Sequence, residues 1–126
     1  MIRASLLLGV LPVALPLMVA ACNSTEENPV ACTTEARAAI NVDVRDSLTG
    51  QPAAAGAIGV AAEGSYADTL DAFSATSLGG AYERAGTYAV TVRKPGYREW
   101  RRDGVVVTSD PCHIRPVQLQ ARLVPE

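Results

Sequence analysis

Apolar and polar residues alternate with a period of two along much of the chain after residue 38. The pattern is clearest over residues 40–45, 87–93 and 117–123. Successive side chains of a β-strand point to opposite faces, so each segment predicts a strand with one buried face. In the middle segment we expect Tyr88 and Val90 to share the buried face. Much of the chain after residue 38 is therefore predicted to form β-strands.

Further strands are predicted at residues 58–62, 65–70, 97–102 and 105–108, the last two as separate strands or as one bent strand. Residues 71–78 give the weakest pattern and predict a loop with a short strand. Turn-forming Gly, Pro and Asp residues separate these segments. No helical pattern of 10–15 residues lies between them, which argues against a parallel βαβ sheet. About seven short strands favour an all-β fold of two antiparallel sheets packed face to face.

The first 21 residues differ from the rest of the chain. Arg3 is the only charged residue before Glu26, and residues 4–21 are mostly Leu, Val and Ala. A short basic start, an apolar stretch and small residues at its end are typical of a secretory signal peptide. The alternative is a transmembrane helix, which needs about 20 apolar residues. Because Pro12 and Pro16 interrupt the run, we predict a signal peptide helix over residues 1–21.

The end of this segment, Val19-Ala20-Ala21-Cys22, resembles the lipobox of bacterial lipoproteins. The resemblance implies cleavage before Cys22, a diacylglyceryl group on its sulfur and acylation, for example by palmitate, of the new amino terminus. Several acyl chains would anchor the protein stably to a bilayer. A cysteine placed there by chance is the alternative. Asn23 stands where lipoproteins kept in the inner membrane tend to have Asp, which favours the outer membrane, facing the periplasm or the cell surface.

The remaining chain is long enough for one domain. The sequence has 126 residues with a formal net charge of −2, and loss of Arg3 with the signal peptide makes this −3. Residues 22–31 are polar and acidic and are interpreted as a flexible tether that reaches about 30 Å. Residues 32–126 are then the folded domain. The weakly acidic balance argues against nucleic acid as a partner.

The three cysteines divide by position. With Cys22 assigned to lipid, Cys32 and Cys112 remain at the two ends of the folded domain. An exported protein meets an oxidising compartment, so we expect a disulfide between them. The alternative is a reactive or metal-binding group with His113, the only histidine, which offers too few ligands for a good site. We therefore expect no metal and no cofactor, and a structural or surface role for His113.

Several turn and strand motifs resemble the carboxypeptidase regulatory-like domain, a transthyretin-like (prealbumin-like) fold. The matching motifs are residues 42–46 with 49–52, 86–92 with the following 94–97, and the closing strands at 105–107 and 119–123. The resemblance implies a seven-stranded antiparallel Greek-key β-sandwich with a binding or structural role.

The same resemblance has implications for Tyr88 and for His113. It implies that Tyr88 buries its ring and directs its hydroxyl to a backbone group. Enzymes of the wider fold, the hydroxyisourate hydrolases, use several histidines and a Tyr-Arg-Gly-Ser tail. This chain has only His113 and lacks the tail, so we expect that it is not an enzyme.

One stretch is a candidate ligand-binding face. If residues 97–102 form a strand, Arg98, Trp100 and Arg102 share a face, next to Tyr97. A Trp between two guanidinium groups could stack on a sugar ring or hold an anionic polymer or lipid head group. Alternatively, Trp100 packs at the edge of the sandwich.

Two functions follow from these observations. The favoured one is a lipid-anchored, non-catalytic module of the bacterial envelope whose partners are the membrane and an envelope protein or glycan. The alternative is a glycan- or small-ligand-binding module that uses the Tyr97–Arg102 face.

Overall fold

The computed structural model describes residues 30–126, together with the isolated positions Gly9, Pro12 and Ala14. The rest of the signal peptide and residues 22–29 of the tether, Cys22 included, lie outside the described residues. Seven strands follow one another, and the described residues contain no helix: β1 (Ile40–Asp46), β2 (Ile58–Glu63), β3 (Tyr66–Ala72), β4 (Ser77–Gly80), β5 (Gly86–Arg93), β6 (Trp100–Val107) and β7 (Val117–Leu123). The predicted all-β class and strand number are confirmed.

The strands form one mixed sheet in the order β6-β5-β2-β3-β4-β1-β7. Every pair is antiparallel except β1 and β7, which run parallel with Ile40 opposite Val117 and Asp46 opposite Leu123. The prediction of an entirely antiparallel arrangement was wrong for this pair. Alternation reports which face of a strand is buried and carries no information on direction. The long chain between β1 and β7 supplies the crossover that parallel neighbours need.

The sheet closes partly on itself. Strand β3 joins its two halves, because residues 66–70 pair with β2 while residues 71–72 pair with β4. At the two ends of the strand order, Arg98 N donates to Val124 O (2.9 Å) and Glu126 N donates to Gly96 O (3.0 Å). The segment before β6 therefore meets the segment after β7, and the strands of both halves enclose one core.

In β1, β5 and β7 the core is built from the faces that the alternation predicts. Val42, Val44, Val90 and Val92 are at most 1% exposed. The other buried apolar residues of the strands pack into the same cluster: Ile40, Ala61, Leu70, Leu78, Tyr88, Val105, Val107, Leu119, Ala121 and Leu123. Residues from every strand thus contribute to one continuous core, which is the main stabilising feature of the domain.

Strand β2 buries its smaller side chains. Gly59 and Ala61 face the core, while Ile58 is 59% exposed. A Cβ atom on Gly59 would lie 2.9 Å from Cδ1 of Leu70 and 3.0 Å from Cδ1 of Leu78. These two leucines fill the space above the glycine, so the larger residues of β2 are left on the outer face.

The strand predicted in two parts after residue 97 is one bent strand. Strand β6 begins only at Trp100, and its register against β5 shifts between Tyr88 and Val90. Gly104, with φ +64°, lies at this irregularity. A β-bulge of this kind bends a strand and commonly uses a glycine with positive φ. In the weak segment 71–78, β3 extends to residue 72 and β4 begins at residue 77.

Tyr88 forms the predicted corner. Its ring is 1% exposed, and its hydroxyl donates a hydrogen bond to the carbonyl oxygen of Arg84 (2.7 Å). The Arg84 guanidinium returns a hydrogen bond to that hydroxyl (2.9 Å), contacts Glu63 Oε1 (3.1 Å) and lies 3.7 Å from the centre of the Tyr66 ring. One buried hydroxyl therefore fixes the turn that precedes β5.

We expect Tyr88→Phe to lower the free energy of unfolding by about 1–3 kcal/mol, because the Arg84 carbonyl and guanidinium lose a buried partner. Tyr82→Phe is the matched control, since Tyr82 is 42% exposed and its hydroxyl makes no hydrogen bond among the described residues. Urea unfolding of both variants measures the difference. Equal stability of the two would show that the corner hydrogen bond does not stabilise the fold.

Candidate functional site

Cys32 and Cys112 form a disulfide, as expected, with their Cα atoms 5.2 Å apart. The bond joins two segments without regular strand structure. One is the segment of residues 30–39, here called the arm, which precedes β1; the other is the connection between β6 and β7. The crosslink therefore fixes the entrance of the folded domain to its last loop.

Backbone hydrogen bonds hold the rest of the arm. Arg37 and Glu83 are linked twice: Arg37 N donates to Glu83 Oε1 (2.9 Å), and Glu83 N donates to Arg37 O (3.0 Å). Val117 N donates to Ala39 O (2.8 Å) where the arm enters β1. The arm thus lies against the body along its length, although its residues 31–36 are exposed.

His113 lies under the arm beside the disulfide. Its side chain is only 8% exposed, and both ring nitrogens have partners: Nδ1 is 2.7 Å from Glu83 Oε1, and Nε2 is 2.8 Å from Thr33 Oγ1. The second oxygen of Glu83 accepts a hydrogen bond from Ile114 N (3.2 Å). The structure therefore gathers a hydroxyl, an imidazole and a carboxylate in one line.

Two carboxylates of this region are held ionised. Burial acts to raise the pKa of Glu83, but the hydrogen bonds from the Arg37 amide, the His113 ring and the Ile114 amide outweigh it and lower the pKa. The amides of His113 and Cys112 both donate to Asp110 Oδ1 and lower the pKa of that carboxyl. At neutral pH one negative charge, on Glu83, therefore lies against the imidazole, and a second, on Asp110, lies against the His113 backbone amide.

A small cleft opens on one side of His113. Its volume is about 230 Å³, and Glu83, Ser109, Asp110 and Ile114 contribute to its walls. The lining is mostly polar, and its charges are acidic. His113 and Glu83 both line this cleft, and the Thr33 hydroxyl, which is not among the lining residues, lies next to it through its 2.8 Å contact with His113 Nε2.

The residues predicted to form a ligand-binding face do not all lie on one strand. Tyr97 is half-buried outside the strand, and its hydroxyl donates to Asp46 Oδ2 (2.8 Å). Trp100 is also half-buried and packs against the core, with the Arg102 guanidinium 5.6 Å from its ring centre. Arg98 is exposed and precedes β6. Only Trp100 and Arg102 thus stand on one strand, and ligand binding by the stretch stays a prediction.

Tyr97 borders a second groove of about 480 Å³. Ile58, Lys94, Pro95 and Glu126 are among its other lining residues. Trp100 and the two predicted arginines do not line it. Its two cations have partners in the protein: Lys94 Nζ donates to Ala53 O (3.2 Å), and Arg93 pairs with Glu99 (2.6 Å).

Within the described residues, no group of three or more His, Cys, Asp or Glu side chains is arranged to hold a metal ion. In the same part of the chain there is no helix long and apolar enough to cross a membrane. No protein-family model matches the chain, and a search of curated proteins finds no match.

Sequence reasoning identified both cysteines, gave His113 only a structural or surface role, and missed Thr33 and Glu83. Glu83 lies in a turn and has φ +49°, a conformation that bulky side chains rarely adopt. Nothing in the local sequence indicates this, because its partners lie 30 and 46 residues away. For Thr33 a signal was present: it follows Cys32 as His113 follows Cys112, so a disulfide brings the second pair together too.

Acid should destabilise the domain. Asp46, Glu63, Glu83 and Asp110 all have lowered pKa values, chiefly because backbone amides or, for Asp46, also the Tyr97 hydroxyl donate to them. A carboxyl with a depressed folded-state pKa contributes stability that is complete above its unfolded pKa, about 4, and is lost as the pH falls through the folded value. We expect the urea midpoint to be constant from pH 7 to 5 and to fall below about pH 4.

Asp110→Asn sharpens this measurement, because asparagine keeps an acceptor oxygen for the two amides but does not titrate. The variant should show a smaller loss of stability between pH 5 and 3 than the parent. Asp71→Asn is the control, since Asp71 is exposed and accepts no side-chain hydrogen bond from the described residues. An unchanged pH dependence in Asp110→Asn would contradict the assignment.

Proposed function

We propose that this chain is a lipid-anchored, non-catalytic β-sandwich module of the bacterial envelope with a binding or structural role. The observation that carries the proposal is the disulfide between Cys32 and Cys112. Such a bond fits an exported protein in an oxidising compartment. It also fastens the domain at a point ten residues after Cys22, the proposed lipid attachment site, so that the anchored domain stays close to the bilayer.

The finer fold proposal is a Greek-key sandwich of the carboxypeptidase regulatory-like type. Three features support it: the shared core of the two halves of the sheet, the turn after β1 and the Tyr88 corner. In that turn, Asp46 Oδ1 accepts hydrogen bonds from the amides of Leu48 (2.8 Å) and Thr49 (2.9 Å), and Gly50 has φ +72°. These are the positions on which the sequence resemblance rests.

The surface supports a structural or binding role. Arg45 pairs with Asp43, Arg93 with Glu99, and Arg101 with Asp103, all on or near the strand faces. Exposed pairs of this kind contribute little to stability, but they place opposite charges side by side on the surface. Such a surface fits a module held by its anchor at the envelope, with a protein or glycan as partner.

The outer membrane, facing the periplasm or the cell surface, is the proposed location. The tether residues 22–31 would connect the lipid on Cys22 to the arm. The proposal makes three expectations that can be tested together: cleavage after residue 21, lipid on Cys22 and attachment of the domain to the membrane.

Expression of the full chain in a Gram-negative host tests these three expectations. We expect the protein to sediment with the membranes and its amino-terminal peptide to begin at a lipid-modified Cys22. Cys22→Ser should abolish both the modification and membrane association, because no thiol remains to receive the diacylglyceryl group.

The matched control is the double variant Cys32→Ala/Cys112→Ala, which removes the two other cysteines and should keep the lipid. Membrane separation and mass spectrometry of the amino-terminal peptide measure the result. An unmodified, soluble parent protein, or Cys22→Ser that stays lipid-modified on the membrane, would overturn the proposal.

A further inference from the structure

Two neighbouring residues of the arm are attached to two neighbouring residues of the β6–β7 connection. Cys32 is bonded to Cys112, and the hydroxyl of Thr33 lies 2.8 Å from Nε2 of His113. Thr33 is exposed, whereas His113 is buried. The covalent bond therefore holds the hydroxyl of an exposed residue against a buried imidazole, with little freedom for the two groups to separate.

The partners of His113 determine where its proton lies. Glu83 is ionised and can only accept hydrogen bonds, so Nδ1 of His113 must carry the hydrogen that points to Glu83 Oε1. In the neutral ring, Nε2 is then an acceptor, and the hydroxyl of Thr33 donates to it. This is the order of groups by which hydroxyl nucleophiles are activated in proteins: hydroxyl, imidazole base, orienting carboxylate.

We propose that Thr33 is an acceptor hydroxyl for acyl groups, activated by His113 and Glu83, and that its donors are small neutral or cationic esters. In the reaction, Thr33 Oγ1 attacks the carbonyl carbon of the ester and its proton passes to Nε2 of His113. The bond between the carbonyl carbon and the leaving oxygen breaks, and the imidazolium returns the proton to that oxygen. The products are an ester on Thr33 and the free alcohol.

The surroundings define the donor. The cleft beside His113 has a volume of about 230 Å³, which suits a short acyl group. Its walls carry the ionised carboxylates of Glu83 and Asp110, which repel an anionic donor. Within the described part of the chain, the amides of Thr33 and Thr34 donate no hydrogen bond. Donors of this kind can stabilise the oxyanion that forms on the attacked carbonyl.

This inference goes beyond the proposed function and does not depend on it. It concerns one covalent modification of the protein itself and needs no turnover. A soluble or an anchored protein would be modified equally, so the Cys22 experiment and the experiment below can fail separately.

The test is acetylation of the disulfide-bonded full-length protein by p-nitrophenyl acetate, followed by release of p-nitrophenolate and by peptide mapping. We expect one acetyl group on Thr33. Thr33→Val should lose it, Thr33→Ser should keep it, and the matched control Thr34→Val should be labelled like the parent. His113→Gln should slow labelling about 100-fold, the usual range of a lost general base.

Several results would overturn the proposal. These are acetylation confined to Lys94, the only lysine, or to Cys22; equal labelling of Thr33 and Thr34; and an unchanged rate in His113→Gln. Thermal unfolding of each variant shows whether it is folded. Thr33→Val remains informative if His113→Gln does not fold, because Thr33 is exposed.

The mono-p-nitrophenyl ester of succinate, an anionic donor, should label more slowly than the acetate, and equal rates would contradict the assigned donor class.

Discussion

The covalent bond between Cys32 and Cys112 is the constraint on which both ends of the described domain depend. It closes a loop with a sequence separation of 80 residues, a constraint on the unfolded chain that typically contributes about 2–4 kcal/mol. In the folded state, the bond fixes the position of the arm. The arm has no strand of its own, and the crosslink keeps it where Glu83 can bind the Arg37 amide and Thr33 can reach His113. The entrance of the domain and the Thr33–His113 contact are therefore fixed by one bond.

The rest of the fold follows from burying one face of seven strands. A single sheet can do this only by folding back on itself, and β3 permits it by pairing with β2 at one end and β4 at the other. The shape of the core then decides which face of β2 turns inward. Leu70 and Leu78 occupy the space, so Gly59 faces them and Ile58 stays outside. Packing between distant strands, rather than local hydrophobicity, sets this orientation.

These relations explain what the sequence could predict. Period-two alternation depends only on neighbours along the chain, so the buried faces of β1, β5 and β7 were predicted correctly. The parallel pairing of β1 with β7 and the bulge near Gly104 depend on partners far away in sequence, and they were missed. The site divides in the same way: cysteine number and spacing predicted the disulfide, whereas Glu83 reaches His113 through a turn with positive φ that no local pattern indicates.

We infer that the disulfide, more than the hydrogen bonds around it, holds the arm on the body. Amide hydrogen exchange of the parent and of Cys32→Ala/Cys112→Ala tests it most directly. We expect the Arg37 amide, which donates to Glu83, to lose nearly all protection in the variant. The Val44 amide, which donates to Thr76 O (2.7 Å) in the sheet, should lose only the part that follows from lower global stability. Equal retention of protection at both amides in the variant would contradict the claim.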